Sequence, residues 1–152
     1  QTPIHYSWDR RDRLSVISAL SVSGKRHRLG LYFDMQDTNI RGSDFERFVA
    51  ELLVHFPKGI ILVIDRWSVH RSGVRRLEDR FSQRVDVEWL PAYAPQLNPV
   101  EQIWNYSKYS QLPNFIPDNI YHLEYMLDGC LNYQANQQNL LRSFFHCAKL
   151  KI

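Results

Sequence analysis

Two acidic residues stand out by where they sit in the chain. Asp65 closes Ile60-Ile61-Leu62-Val63-Ile64, the longest uninterrupted apolar run. A carboxylate at the end of such a run needs a counter-charge or a metal, because taking it out of water uncompensated is costly. The alternative is an Asp that opens the next turn and bonds its own backbone. Glu101 follows Pro91-Ala-Tyr-Ala-Pro95-Gln-Leu-Asn-Pro99, where three prolines within nine residues forbid regular structure. Asn98, Pro99 and Glu101 match the cap, first and third positions of a helix, so a capping box accounts for Glu101 without any chemistry. The cap leaves the proline-stiffened approach unexplained. Such an approach fixes where the helix begins and delivers a carboxylate rigidly, as a metal site requires.

Other chemistries find less support. Cys130 and Cys147 lack disulfide-framework or C-x-x-C spacing and are expected to be two small buried thiols. The six histidines are scattered, and His146 directly precedes Cys147, which is not zinc-site spacing. The formal charge of +3 is modest but clustered: Arg10, Arg11 and Arg13, then Lys25-Arg26-His27-Arg28, then Arg71, Arg75, Arg76 and Arg80. Such clusters suit a polyanionic partner, and equally a solvated face.

The elements that must position these residues fit one domain, since 152 residues suffice for a single core. With 44% hydrophobic, 13% aromatic and 23% charged residues, the chain has the composition of a folded protein and not of a disordered one. No apolar run approaches the ~20 residues that span a bilayer. The first residues contain no apolar leader, so a cytoplasmic protein is expected, and Gln1 in place of Met points to a fragment or processed product.

Leu14 to Val22 reads as a strand and Ser23-Gly24 as a turn. Leu29, Leu31, Phe33 and Met35 then alternate with Arg28, Gly30, Tyr32 and Asp34, which predicts a hairpin. Ser43 and Glu46 form a capping-box pair ahead of Phe45, Phe48, Val49, Leu52, Leu53 and Phe56 at helical spacing, and Pro57-Lys58-Gly59 ends that helix. Ile60 to Ile64 reads as a strand covered on both faces. A helix is expected from about Ser72 to Phe81, a half-exposed strand from Val85 to Trp89, and a helix from Pro99. Beyond Leu112-Pro113, two amphipathic stripes follow, Ile120 to Leu131 and Leu140 to Phe145. The pattern is a mixed α/β domain.

An apolar strand ending in Asp65, His70 five residues on, and Tyr93-Ala-Pro95-Gln-Leu97-Asn98-Pro99-Val100-Glu101-x-x-Trp104 together resemble the catalytic core of mariner-superfamily insertion-sequence transposases, within the wider DDE group. Thirty-five residues separate Asp65 from Glu101, a spacing similar to that between the family's second and third acids. The likeness extends from Gln1-Thr2-Pro3, which resembles the segment after the family's first catalytic strand, to Lys108, where a basic residue is common. The chain departs from the family in two ways. Arg66 stands where Asn usually follows the second acid, a cation able to compete with metal or to contact a phosphate. No strand-borne Asp precedes Leu14: Asp9 and Asp12 lie in an arginine-rich stretch, and Asp34 belongs to the third strand's place.

The resemblance implies an RNase H-like mixed sheet flanked by helices. Residues 1–112 would be the catalytic core, its first, central strand missing, and residues 113–152 a helical extension packed on it. It implies cleavage and joining of DNA, with two Mg²⁺ or Mn²⁺ ions held by carboxylates that include Asp65 and Glu101. Arg26, Arg28, Arg71, Arg75 and the other arginines of that helix would contact phosphates, with Arg66, His70, Asn98 and Lys108 also on the DNA side. Transposon ends and target DNA are the implied partners, met by a homo-oligomer on the bacterial nucleoid. The missing first Asp makes the chain alone an expected weak or inactive enzyme. Arg66 and that missing Asp also motivate two alternatives: a non-catalytic nucleic-acid-binding or assembly module, and a resolvase-like or ribonuclease-like nuclease on the same scaffold.

Overall fold

The predicted alternation folds as a hairpin in the computed structural model, which describes residues 13–24, 28–92 and 94–152. β1 (Ser15–Val22) runs antiparallel to β2 (Leu29–Gln36), pairing Ser15 with Gln36 and Val22 with Leu29. Successive strand side chains point to opposite faces. Val16, Leu20 and Val22 therefore join Leu29, Leu31, Phe33 and Met35 on one face, in a core completed by Ile103, Leu131, Leu141, Phe144 and Phe145. On the other face Tyr32 meets the rings of His55 and Phe56, at centroid distances of 5.4 and 5.7 Å.

α1 (Gly42–His55) carries the expected apolar stripe but not the expected cap. The helix begins at Gly42, which makes Asp44 its third residue; the Arg41 N–H donates to Asp44 Oδ2 at 2.8 Å. Glu46 is instead buried and paired with Arg80 of the following helix. Beyond α1, Gly59 adopts φ +94°, and a Cβ there would lie 2.6 Å from the Arg84 carbonyl oxygen, so the turn into the next strand requires glycine.

β3 (Ile60–Ile64), α2 (Ser68–Phe81) and β4 (Val85–Trp89) form a parallel β-α-β unit, with Ile60 beside Val85 and Ile64 beside Trp89. α2 begins at Ser68, a full turn before the expected Ser72, which brings His70 and Arg71 into the helix. It crosses α1 at two glycines: a Cβ on Gly73 would sit 3.1 Å from the Gly42 carbonyl oxygen. Phe45, Val49, Leu53, Val74 and Leu77 then cover Ile64 and Val85 in a second core, against which Ile17 of β1 also packs.

The expectation that both faces of β3 are covered is overturned. Ile61 is 69% exposed and Val63 58%. Both helices lie on the Ile60-Leu62-Ile64 side, and among the described residues β4 is the one strand that pairs with β3. Among the described residues the two sheets have two strands each and share no ladder, so β1 and β3 each keep one unpaired edge.

α3 (Glu101–Tyr106) runs into a π-helical turn, Ser107–Gln111, followed by α4 (Ile120–Ala135) and α5 (Gln138–Cys147). Buried Gln134 donates to Ser107 Oγ and Gln111 Oε1, both at 2.7 Å, and so ties the π turn to α4. The Gln138 amide both accepts from Leu29 N–H and donates to its carbonyl, at 2.9 and 2.8 Å, which fixes α5 to the start of β2. Cys130 is buried as expected; Cys147 is exposed, because α5 turns Leu141, Phe144 and Phe145 inward instead. Among the described residues, no helix is long and apolar enough to cross a membrane.

Candidate active site

β3 ends by handing Asp65 to the solvent edge of the β-α-β unit. The Leu90 N–H donates to the Ile64 carbonyl at 2.8 Å, which carries the β3–β4 ladder one step past Trp89 and sets Leu90 and Pro91 beside Asp65. Ligands of parallel α/β units sit beyond the carboxyl ends of the strands, and a cavity of about 430 Å³ lies there.

The far wall is built by the proline-rich arm. A 3-10 turn, Pro95–Leu97, closes with the Asn98 N–H on the Pro95 carbonyl at 3.0 Å. Asn98 Oδ1 then accepts from the Val100 N–H at 3.1 Å, and its carbonyl from the Glu101 N–H at 3.2 Å. This differs from the expected capping box. Pro99 and Val100 form a turn, the helix proper starts at Glu101, and the Glu101 carboxylate makes no bond back to the described residues of the arm. It lines the same cavity as Asp65. Val100, Ile103 and Trp104 join the hairpin core and anchor the helix behind it.

Asp65 opens the next turn, as one of the two sequence readings has it, and also contacts His70. Its Oδ1 accepts from the Trp67 N–H at 2.9 Å, a turn bonded to its own backbone, and lies 2.8 Å from His70 Nδ1. The His70 side chain is 17% exposed and Asp65 47%. The imidazole contacts Phe45, at 4.8 Å between ring centroids, and Trp67, at 5.4 Å in a T-shaped arrangement.

Arg66 lines the cavity too, yet its guanidinium lies 6.0 Å from the Trp89 ring centroid and forms no ion pair with either acid. Trp89 was legible only as an alternating strand residue. Its place beneath Arg66 follows from the Ile64–Trp89 register, which no local pattern encodes.

The remaining expected residues are spread more widely. Asn98 lines the cavity. Arg71 and Arg75 are exposed on α2, whereas Arg76 and Arg80, expected beside them as phosphate contacts, face Glu46. Arg28 is exposed at the hairpin turn, and Lys108 lies 5.2 Å from the Tyr109 ring on the π turn. Arg26, Tyr93, Asp9, Asp12 and Gln1-Thr2-Pro3 lie outside the described residues.

Among the described residues, no three His, Cys, Asp or Glu side chains converge closely enough to make a metal cage. The donors at the cavity still suit a hard divalent cation: two carboxylates in an open cleft match Mg²⁺, which is commonly bound through one or two carboxylates plus substrate phosphates and water.

A family model described as DDE superfamily endonuclease matches residues 1–120, and the chain belongs to that family. Its members are DNA-cleaving enzymes that generally use divalent metal ions, and the mixed α/β architecture with its helical C-terminal part is of the RNase H-like kind. Searches of curated proteins and of solved structures returned no match.

Proposed function

We propose that the chain is the catalytic domain of a cut-and-paste DNA transposase of the mariner-like insertion-sequence group. The observation that carries this reading is that Asp65 and Glu101, separated by thirty-five residues, line one cavity at the end of β3. Asp65 and Glu101 are the residues that would hold divalent metal. When bound, Mg²⁺ or Mn²⁺ ions activate the attacking oxygen and stabilise the leaving oxygen at a scissile phosphate. The chain's own side chains orient the DNA: Arg71 and Arg75 on α2, with Arg28 and Lys108, contact phosphates, and Asn98 and Arg66 border the strand that enters the cleft. Residues 1–112 form the core and residues 113–152 an extension on it, working as a homo-oligomer on nucleoid DNA.

The unpaired edges of β1 and β3 fit the same reading. A strand laid between them would unite the two sheets and could bring the third carboxylate that the cavity lacks among the described residues. The test is plasmid nicking by the protein in its full genomic reading frame. Mg²⁺-dependent nicking abolished by Asp65→Asn and by Glu101→Gln is the expected result, and nicking that survives either change refutes the mechanism. The coding sequence before Gln1 should encode a strand ending in Asp.

A second reading rests on Arg66 and on the two-carboxylate donor set: a nucleic-acid-binding remnant without metal chemistry. Salt-dependent DNA binding with no Mn²⁺ affinity at millimolar metal favours it.

A further inference from the structure

We infer that His70 is a positioning residue that locks the Asp65 carboxylate in one rotamer and so reserves its second oxygen for the cleft. A carboxylate only accepts hydrogen bonds, so the hydrogen between the two groups sits on His70 Nδ1. That N–H and the Trp67 N–H both end on Oδ1, at 2.8 and 2.9 Å. Nδ1 also approaches the Asp65 backbone carbonyl at 3.4 Å, so the imidazole grips side chain and main chain of the same residue. Oδ2 has no partner among the described residues, while Asp65 itself lines the cavity.

Two aromatic rings border the imidazole that makes this grip. Phe45 of α1 lies tilted against it at 48°, and Trp67 meets it edge-on at 86°. The Gly42–Gly73 crossing brings Phe45 close enough for this contact. Two donors on one oxygen and two aromatic rings beside the imidazole are more than a turn needs, since the Trp67 N–H alone would close it. They are what holding one carboxylate oxygen toward a cation requires, and hydrogen-bond partners of ligating groups change metal affinity by roughly 10–100-fold when removed. The metal part of this inference rests on the proposed function; the rotamer lock does not.

Two substitutions separate the hydrogen bond from the ring. His70→Phe keeps an aromatic ring against Phe45 and Trp67 but deletes the donor. His70→Asn places an amide N–H near the position of Nδ1 and deletes the ring. Three-bond couplings about χ1 of Asp65, measured by NMR without metal, should report a single rotamer in the wild type and in His70→Asn, and rotamer averaging in His70→Phe. Mn²⁺ affinity followed by electron paramagnetic resonance should fall roughly ten-fold in His70→Phe and stay near wild type in His70→Asn, although His70→Asn should have the lower melting temperature. A single Asp65 rotamer in His70→Phe overturns the lock, whatever the metal data. Mn²⁺ binding that is absent in the wild type, or unchanged by Asp65→Asn, overturns the metal-site reading and leaves the lock to be judged on the couplings alone.

Discussion

Arg80 of α2 donates to Glu46 of α1, the one buried carboxylate among the described residues, and Arg76 stands 4.0 Å from its other oxygen. The arginine side chains are largely exposed, 63% and 56%, so the cost of breaking the cluster falls on Glu46. Arg80→Ala leaves that carboxylate desolvated and short of a partner, and is expected to lower stability by about 1–3 kcal/mol. Arg76→Ala removes a longer, wetter contact and is expected to cost at most about 1 kcal/mol. Urea titrations of the two variants measure the difference; equal losses would show that Glu46 does not depend on its short partner.

The same arrangement divides the arginines of α2 by task. Arg71 and Arg75 have no carboxylate partner among the described residues, whereas Arg76 and Arg80 are engaged. Releasing counterions from two phosphates changes the slope of log K against log salt by about 1.8, at roughly 0.9 per contact. The double change Arg71→Ala, Arg75→Ala should flatten the salt dependence of duplex-DNA binding by that amount, while Arg76→Ala leaves it unchanged. Fluorescence anisotropy at several salt concentrations reads both slopes.

The two thiols should differ in reactivity. Burial pushes the Cys130 thiol above its ordinary pKa, because the thiolate loses hydration, whereas Cys147 is exposed. At pH 8 alkylation should label Cys147 first and Cys130 slowly. Raising the pH should speed the labelling of Cys130, whose thiolate forms above the ordinary thiol range. Mass spectrometry of a timed iodoacetamide reaction checks the order.

Much of this architecture was legible because it is periodic. The alternation of Leu29, Leu31, Phe33 and Met35 fixed both the hairpin and the face it buries, and the stripe from Phe45 to Leu53 fixed α1. The acid pair was legible through an unusual string of residues and not through periodicity. The misjudged features depend on long-range contacts. α2 starts early because Trp67 and His70 fold back on Asp65, a contact without apolar spacing. Glu46 looked like a cap until its partner arrived from a helix thirty-four residues away. The bare face of β3 was hidden because an apolar run records what a strand could bury, not what lies over it.

The prolines of the arm carry one more consequence. Pro91, Pro95 and Pro99 restrict φ at three points between β4 and α3, so much of the wandering open to an ordinary connection of that length is already denied before folding. A cation entering the proposed site would therefore not have to tame a floppy strap. Its affinity should be governed by dehydration and charge, and its arrival should leave the outline of the cleft nearly unchanged.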